Sequence, residues 1–259
     1  PETLQDTRHP SATVDKILNE ELTFEMYKDS AVCANGAMYR KDVRGFLPEL
    51  MEKIYKDRTI YKKKMLQAKQ DYEKTPTKAL EKEIARCNNI QMARKIQLNS
   101  AYGAIGNQYF RYYKLANAEA ITLSGQVSIR WIENRMNGYL NKLLQTEGED
   151  YVIASDTDSI YLNMGPLVDK FFSGKSGDKT AIVSILDKIC EDKLEPFIER
   201  SYSDLADYVQ AYEQKMIMKR ENIAERGIWT AKKRYILNVW NSEGVQYSEP
   251  KLKMMGIEA

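Results

Sequence analysis

Two aspartates two positions apart are the residues of this sequence best suited to bind a metal ion. Asp156 and Asp158 belong to the Asp-Thr-Asp-Ser run at residues 156–159, between the apolar segments 151–154 and 160–162. These segments predict a β-hairpin, and side chains two positions apart on an extended chain lie on one face. Such carboxylates suit Mg²⁺, which takes one or two of them together with substrate phosphates. The alternative is an acidic turn, because Asp, Thr and Ser are common turn residues.

A second group of residues has helical spacing. Lys95, Asn99, Tyr102 and Gly103 occur as Lys-x-x-x-Asn-Ser-x-Tyr-Gly. Their offsets place them along one side of a helix. That side offers a cation, an amide, an aromatic ring and bare backbone to one ligand. The alternative is a mixed helix face with Tyr102 in the core.

A third group consists of two cations one helical turn apart, Arg58 and Lys62. Together they suit a polyphosphate, since Arg offers a planar fork and Lys a point charge. The alternative is a pair of solvated side chains. The Gly-Lys-Ser at residues 174–176 does not complete a P-loop, because Asp169 stands where the first glycine is needed.

Composition narrows the chemistry. The 259 residues have a net charge of +2, 43% hydrophobic and 29% charged residues, which is typical of a soluble globular protein. No run approaches the roughly 18 apolar residues of a membrane span, so we expect no membrane partner. The cysteines (Cys33, Cys87, Cys190) are too far apart to indicate a disulfide framework or a zinc site. The single histidine, His9, excludes serine-type triads, so chemistry must use carboxylates, lysines, arginines and tyrosines.

The N-terminal half is predicted to be mainly helical. A short strand is expected at residues 37–39, and helical periodicity begins at Phe46. Two antiparallel helices of about 28 residues each are expected, with Thr75 as N-cap and Pro76 as first residue of the second helix. A third helix is expected over residues 121–144. Its apolar stripe would be Ile129, Ile132, Met136, Tyr139 and Leu143.

The C-terminal half mixes helix and strand. A loop is expected at residues 174–177 and a helix from Ile182 to about Tyr202. Strands are expected at residues 216–218, 235–240 and 251–253. The sequence therefore predicts an α+β fold that carries an antiparallel two-helix hairpin.

Taken in order, these segments resemble family B DNA polymerases, and most closely the replicative type of T-even-like bacteriophages. The family carries Lys-x3-Asn-Ser-x-Tyr-Gly, Asp-Thr-Asp-Ser and Lys-Lys-Arg-Tyr motifs, which match residues 95–103, 156–159 and 232–235. Residues 110–113, 238–240 and 249–253 also look like the phage type. The resemblance covers nearly the whole chain.

The resemblance implies a palm with an antiparallel β-sheet and packed helices, and fingers formed by the helical hairpin. Residues 1–45 would be the first part of the palm, 46–104 the fingers and 105–259 the second part of the palm. The absence of an initiator Met favours a fragment or a processed chain, and no signal peptide is visible.

The resemblance also implies roles for individual residues. The incoming nucleotide would be bound by Arg58, Lys62, Lys95, Asn99, Tyr102 and Gly103. Among these, the cations would hold the triphosphate, and Lys95 would also protonate the leaving pyrophosphate. Asn99 would orient those contacts, while Tyr102 and Gly103 would pack under the nascent base pair.

Metal and DNA contacts follow from the other two motifs. Asp158 would ligate two catalytic Mg²⁺ ions, with Asp156 beside it. The primer would meet Lys232, Lys233, Arg234 and Tyr235, with Lys233 in the minor groove. The implied reaction is in-line attack of the primer 3′-OH on the α-phosphorus of a dNTP, with metals at the attacking and leaving oxygens.

The sequence departs from the family in three ways. The Asp-x-x-Ser-Leu-Tyr-Pro motif, which supplies another essential aspartate, is absent. The proofreading carboxylate motifs and the thumb are also not found in these residues, and Ser155 precedes Asp156 where the family usually has Gly. We therefore expect a polymerase core that is inactive alone. Its partners would be primer-template DNA, dNTP and the rest of the polymerase (exonuclease, first palm motif, thumb), in the cytoplasm of an infected bacterial host. The alternatives are a non-catalytic nucleotide- or DNA-binding subunit of a split polymerase and a purely structural helical hairpin.

Overall fold

The computed structural model describes residues 3–172 and 178–257, so the expected loop at residues 174–177 lies outside the described residues. The chain contains both helices and antiparallel strands. In order they are β1 (Leu4–Arg8), α1 (Val14–Leu18), β2 (Ser30–Val32), β3 (Ala37–Arg40), α2 (Phe46–Lys74), α3 (Lys78–Ile105), α4 (Leu115–Leu144), β4 (Val152–Asp156), β5 (Ser159–Leu162), α5 (Gly165–Phe172), α6 (Lys179–Ile189), α7 (Glu195–Tyr208), β6 (Asn222–Ala231), β7 (Arg234–Ser242) and β8 (Val245–Met255). The predicted α+β class is confirmed.

The chain forms two compact units. The first contains Pro1–Thr59, Ile90–Leu162 and Ile198–Ile217; the second contains Ile60–Asn89, Asn163–Phe197 and Met218–Ala259. The described strands form three antiparallel sheets, ordered β1-β3-β2, β4-β5 and β6-β7-β8. Within the described residues, no helix is long and apolar enough to cross a membrane.

The predicted helical hairpin is present, but its connection differs from the prediction. Thr75 still donates its backbone N–H to Asp71 O at 2.9 Å, so it closes the first helix. The N-cap of the second helix is Thr77, whose Oγ1 accepts a hydrogen bond from Leu80 N at 3.2 Å. Assigning Thr75 as the N-cap and Pro76 as the first helical residue was therefore wrong. Pro76 disfavours a helical backbone at Thr75, so α2 ends there, and the cap at Thr77 sets the start of α3.

Helix α4 is the central helix of the first unit, and it differs from the prediction in two respects. It starts at Leu115 rather than residue 121. Its N-cap residue, Lys114, makes no side-chain capping hydrogen bond, so no capping residue marks this start in the sequence. The expected stripe was also partly wrong: Leu143 is exposed, and Ile129 and Tyr139 are half-buried. The buried side chains of its C-terminal two-thirds are Val127, Ser128, Trp131, Ile132, Met136, Leu140 and Leu144. The buried face is therefore rotated by about one residue from the expected one.

The C-terminal strands were only partly predicted. The strands expected at residues 235–240 and 251–253 lie within β7 and β8, whereas β6 was missed. The strand expected at residues 216–218 is wrong. The Gln214 side chain takes both the backbone N–H and the carbonyl of Met216, leaving that residue no groups to pair with a neighbouring strand.

The helix expected from Ile182 to about Tyr202 is two helices, α6 and α7. A π-helical turn, Cys190–Leu194, joins them, and Pro196 is the second residue of α7. Pro196 follows directly after the π-helical turn, where the α-helical hydrogen-bond pattern is already interrupted, so the N–H that it lacks is tolerated there.

Candidate functional site

The turn between β4 and β5 carries both aspartates. Asp156 ends β4 and pairs with Ser159, which leaves Thr157 and Asp158 as a two-residue turn. Thr157 has a φ of 53°, and Asp158 N donates to Asp156 O at 2.6 Å. The two aspartates are therefore adjacent because the chain reverses there, not because they share one face of an extended strand. The location was predicted correctly, and the reason given for it was wrong.

The β4–β5 turn offers two carboxylates, which is only part of the ligand set of a metal ion. Asp158 is exposed and Asp156 is half-buried, with Asp156 Oδ1 accepting a hydrogen bond from Thr157 Oγ1 at 2.9 Å. Burial, with the nearby negative charge of Asp158, raises the pKa of Tyr202 to about 12. Among the described residues, no three His, Cys, Asp or Glu side chains cluster as metal ligands. Two carboxylates fit Mg²⁺ only where phosphate oxygens, water or further carboxylates complete the shell.

One side of α3 is open along its whole C-terminal half. Lys95, Asn99, Tyr102 and Gly103 are all exposed, and Tyr102 retains 45% of its accessible surface. The interpretation of Tyr102 as a core residue is therefore wrong. Its hydroxyl hydrogen-bonds Thr122 Oγ1 at 2.8 Å, a contact that sequence spacing could not indicate. A side chain at Gly103 would meet nothing within 4 Å, so packing within the described residues does not require a glycine there.

The register of the hairpin places Arg58 and Lys95 at the same level. The preceding residues, Asp57 and Arg94, form an ion pair across the two helices at 2.5 Å. The Nε atom of Arg58 is buried, and no described atom accepts a hydrogen bond from it. The ion pair supports a position for Arg58 and Lys95 well away from the tip of the hairpin. That the two side chains face each other stays a prediction.

Lys62 has a partner that the sequence did not indicate. Its Nζ lies 3.0 Å from Glu243 Oε1, in the turn between β7 and β8. Convergence of Lys62 with the other two cations stays a prediction.

The Lys-Lys-Arg-Tyr motif forms the turn between β6 and β7. Lys232 and Lys233 are the turn residues, Lys233 has a φ of 62°, and both side chains are exposed. Gly256 supports this turn: a side chain there would come within 2.4 Å of the Lys233 carbonyl oxygen. Sequence reasoning missed Gly256, because nothing local marks a glycine that is needed by a distant turn.

Comparison with known proteins agrees with this arrangement. The sequence model described as DNA polymerase family B matches residues 1–181, which include the motifs at 95–103 and 156–159. The chain belongs to DNA polymerase family B. It is 37% identical to the DNA-directed DNA polymerase of Escherichia phage RB69 and 34% identical to that of Enterobacteria phage T4, over 86% of its length in each case. It is also 28% identical, over 73% of its length, to a DNA polymerase of Thermococcus gorgonarius.

The chain spans 30% of the length of each phage relative and 26% of the archaeal one. The predicted resemblance to the T-even-like type of family B is thus confirmed. The roles of individual residues stay predictions.

Proposed function

We propose that this chain is the palm and fingers core of a DNA-directed DNA polymerase, which adds dNTPs to a primer 3′-OH by two-metal phosphoryl transfer. The Asp156–Asp158 turn carries the proposal, since it exposes carboxylates at the tip of a hairpin in a chain of family B. Residues 1–45 and 105–259 would form the palm and 46–104 the fingers. Its substrates would be primer-template DNA and dNTP, in the cytoplasm of an infected bacterial host.

Asp156 and Asp158 would hold the Mg²⁺ ions, whose charge lowers the barrier at the attacking and leaving oxygens. The exposure of Asp158 supports this role, because a substrate-bridging ion must be reached from solvent. The donor set is incomplete with these two side chains. A further carboxylate would come from the rest of the polymerase, with its first palm motif, exonuclease and thumb.

The exposed side of α3 would receive the nucleotide. Lys95 and Arg58 would bind the triphosphate, and the buried Nε of Arg58 lacks an acceptor that a phosphate oxygen could supply. Lys62 would join them by exchanging Glu243 for phosphate. Asn99 would orient these contacts, and the base pair would lie on Tyr102 and the open surface at Gly103.

Primer extension by a mixture tests the proposal. The mixture contains this chain and polypeptides that supply the first palm motif and the thumb, and we call it the complemented enzyme. Template-dependent extension by the complemented enzyme is the expected result. DNA or nucleotide binding without extension would instead identify a non-catalytic subunit of a split polymerase.

The Lys95→Ala substitution should lower kcat/KM for dNTP by about 10- to 100-fold, because a charge-assisted hydrogen bond contributes about 1.5–3 kcal/mol. Single-nucleotide incorporation by the complemented enzyme measures this. Lys82→Ala removes an exposed lysine from the same helix and is the matched control. An equal effect of both substitutions would contradict the assignment.

The Lys233→Ala substitution should weaken primer-template binding and reduce the dependence of log K on log[salt] by about 0.9, the counterion release expected when one lysine charge is removed from the bound DNA. Fluorescence anisotropy of a labelled duplex across a salt series measures the slope on this chain alone. Lys188→Ala, which removes an exposed lysine of α6, should leave the slope unchanged. An unchanged slope for Lys233→Ala would remove this residue from the DNA contacts.

A further inference from the structure

Helix α4 carries a polar stripe that contacts the segment leading to the Asp156–Asp158 turn. The stripe consists of Glu133, Asn137 and Asn141, which follow one another at four-residue intervals and so lie on one side of the helix. At its C-terminal end, Asn141 Oδ1 accepts a hydrogen bond from Glu149 N at 3.0 Å, and its Nδ2 donates to Glu149 O at 2.7 Å. Asn141 therefore binds both backbone groups of Glu149, which holds the segment before β4 against the helix.

Asn137 makes the central contact of the stripe. Its Oδ1 accepts hydrogen bonds from Tyr151 N at 3.0 Å and Val152 N at 2.9 Å, and its Nδ2 donates to Asp150 Oδ1 at 2.7 Å. Tyr151 and Val152 are each only 4% exposed, so water cannot readily replace this acceptor. One side chain thus satisfies two buried backbone donors at the start of β4.

Glu133 makes the contact nearest the turn. Its Oε2 accepts a hydrogen bond from Ser155 Oγ at 3.5 Å, directly before Asp156. A glycine at position 155 could not make this contact. Side chains alternate along β4, so the contact lies on the face opposite Asp156 and does not involve that carboxylate.

The hairpin needs such support. Within the described residues, β4 and β5 pair only with each other, and a two-stranded hairpin is marginal in water. A shift of β4 by one residue would also move Asp156 to the other face. The position of the turn must therefore come from what β4 packs against, and helix α4 contacts both strands of the hairpin.

We propose that Asn137 is a positioning residue for the reaction, and that with Asn141 and Glu133 it fixes β4 on α4 and so sets the place of Asp156 and Asp158. The role in the reaction rests on the proposed function. The positioning itself can be measured without any activity.

Amide hydrogen exchange on the chain alone tests the positioning. Asn137→Leu removes the acceptor of two buried N–H groups, and exchange at residues 151, 152 and 156–158 should become at least about tenfold faster. Asn134→Leu makes the same change at an exposed neighbour on α4 and should alter none of these rates. Equal rates in the two variants would overturn the proposal.

A second pair of variants is needed if Asn137→Leu fails to fold, which would appear as fast exchange in β7 as well as at the turn. This pair moves the carboxylate and the amide between residues 137 and 150. Asn137→Asp keeps the acceptor but faces Asp150, whereas Asn137→Asp with Asp150→Asn restores every hydrogen bond with the donor moved to residue 150. The double variant should return exchange at the turn to within about twofold of the parent, and the single variant should not. Failure of the double variant to recover would overturn the proposal.

The complemented enzyme supplies the second readout. Asn137→Asp should lower kcat about tenfold and raise the Mg²⁺ concentration for half-maximal rate, with the KM for dNTP within about twofold, and Asp150→Asn should reverse both changes. A loss of active protein alone would lower the rate without moving the Mg²⁺ dependence, and that result would overturn the role in the reaction. If no form extends a primer, the proposed function fails, while the exchange rates still decide the positioning.

Discussion

Replacing Asp158 with asparagine should lower the rate of primer extension by the complemented enzyme at least about a thousandfold, because a lost metal carboxylate removes several kcal/mol of transition-state stabilisation. Asparagine has nearly the same shape, and the backbone hydrogen bond from Asp158 N to Asp156 O does not involve the side chain. The turn should therefore survive the change. Single-turnover extension at saturating dNTP and Mg²⁺ measures the loss.

Asp204→Asn is the matched control for this prediction. Asp204 is an exposed aspartate of α7 in the same compact unit, and its replacement should leave the rate within about twofold. Extension by Asp158→Asn at more than about a tenth of the parent rate would remove Asp158 from the metal ligands.

The helical hairpin could be predicted because its signals are local and repeated. Apolar periodicity fixed both arms to within a few residues, and the turn at Pro76 fixed the register that the Asp57–Arg94 ion pair displays. Chain length also predicts that Arg58 and Lys95 lie at similar distances from the tip, and their convergence stays a prediction. Such features need no knowledge of distant contacts.

The errors arose where a side chain competed with the expected backbone pattern. Gln214 satisfies the backbone of Met216 and removes a strand, while Thr77 caps α3 in place of Thr75. Helix α4 starts without any side-chain cap, so its first turn left no signal in the sequence. Each outcome depends on which of several polar groups forms the hydrogen bond with a given backbone group, and composition does not reveal that.

The location of Asp156 and Asp158 was predictable, but their local geometry was not. Their spacing predicted a hairpin on which both lie on one face of an extended strand, whereas a turn with a left-handed backbone at Thr157 lies between them. Their shared metal site stays a prediction. The Glu243 partner of Lys62 and the need for Gly256 beside Lys233 involve residues far apart in sequence. Long-range contacts of this kind are visible only once the sheet is assembled.

The 259 residues alone should not extend a primer, even with Mg²⁺ and all four dNTPs. Two-metal catalysis needs carboxylates from two palm segments, and the Asp-x-x-Ser-Leu-Tyr-Pro motif is absent from this sequence. Loss of such a ligand costs several kcal/mol, at about tenfold in rate for each 1.36 kcal/mol. Duplex DNA should also bind weakly and with a strong salt dependence, because only a handful of lysine and arginine side chains would contact its phosphates. Weak binding would lower the extension rate further.

Extension assays on the chain alone and in the complemented enzyme decide this prediction, with extension expected only in the mixture.

Extension by the chain alone would require a substitute carboxylate, and two acidic residues of the N-terminal segment are the candidates. Asp42 is already bound by Arg40, whose hydrogen bonds hold the pKa of that carboxyl below its usual value. Glu21 accepts a hydrogen bond from Asn19 Nδ2 at 2.9 Å. Neither belongs to a three-residue metal cluster within the described part of the chain. Asp42→Asn and Glu21→Gln should leave the rate of the complemented enzyme unchanged, because the first palm motif is present there. If the chain alone extends a primer, the substitution that abolishes this extension would identify the substitute ligand.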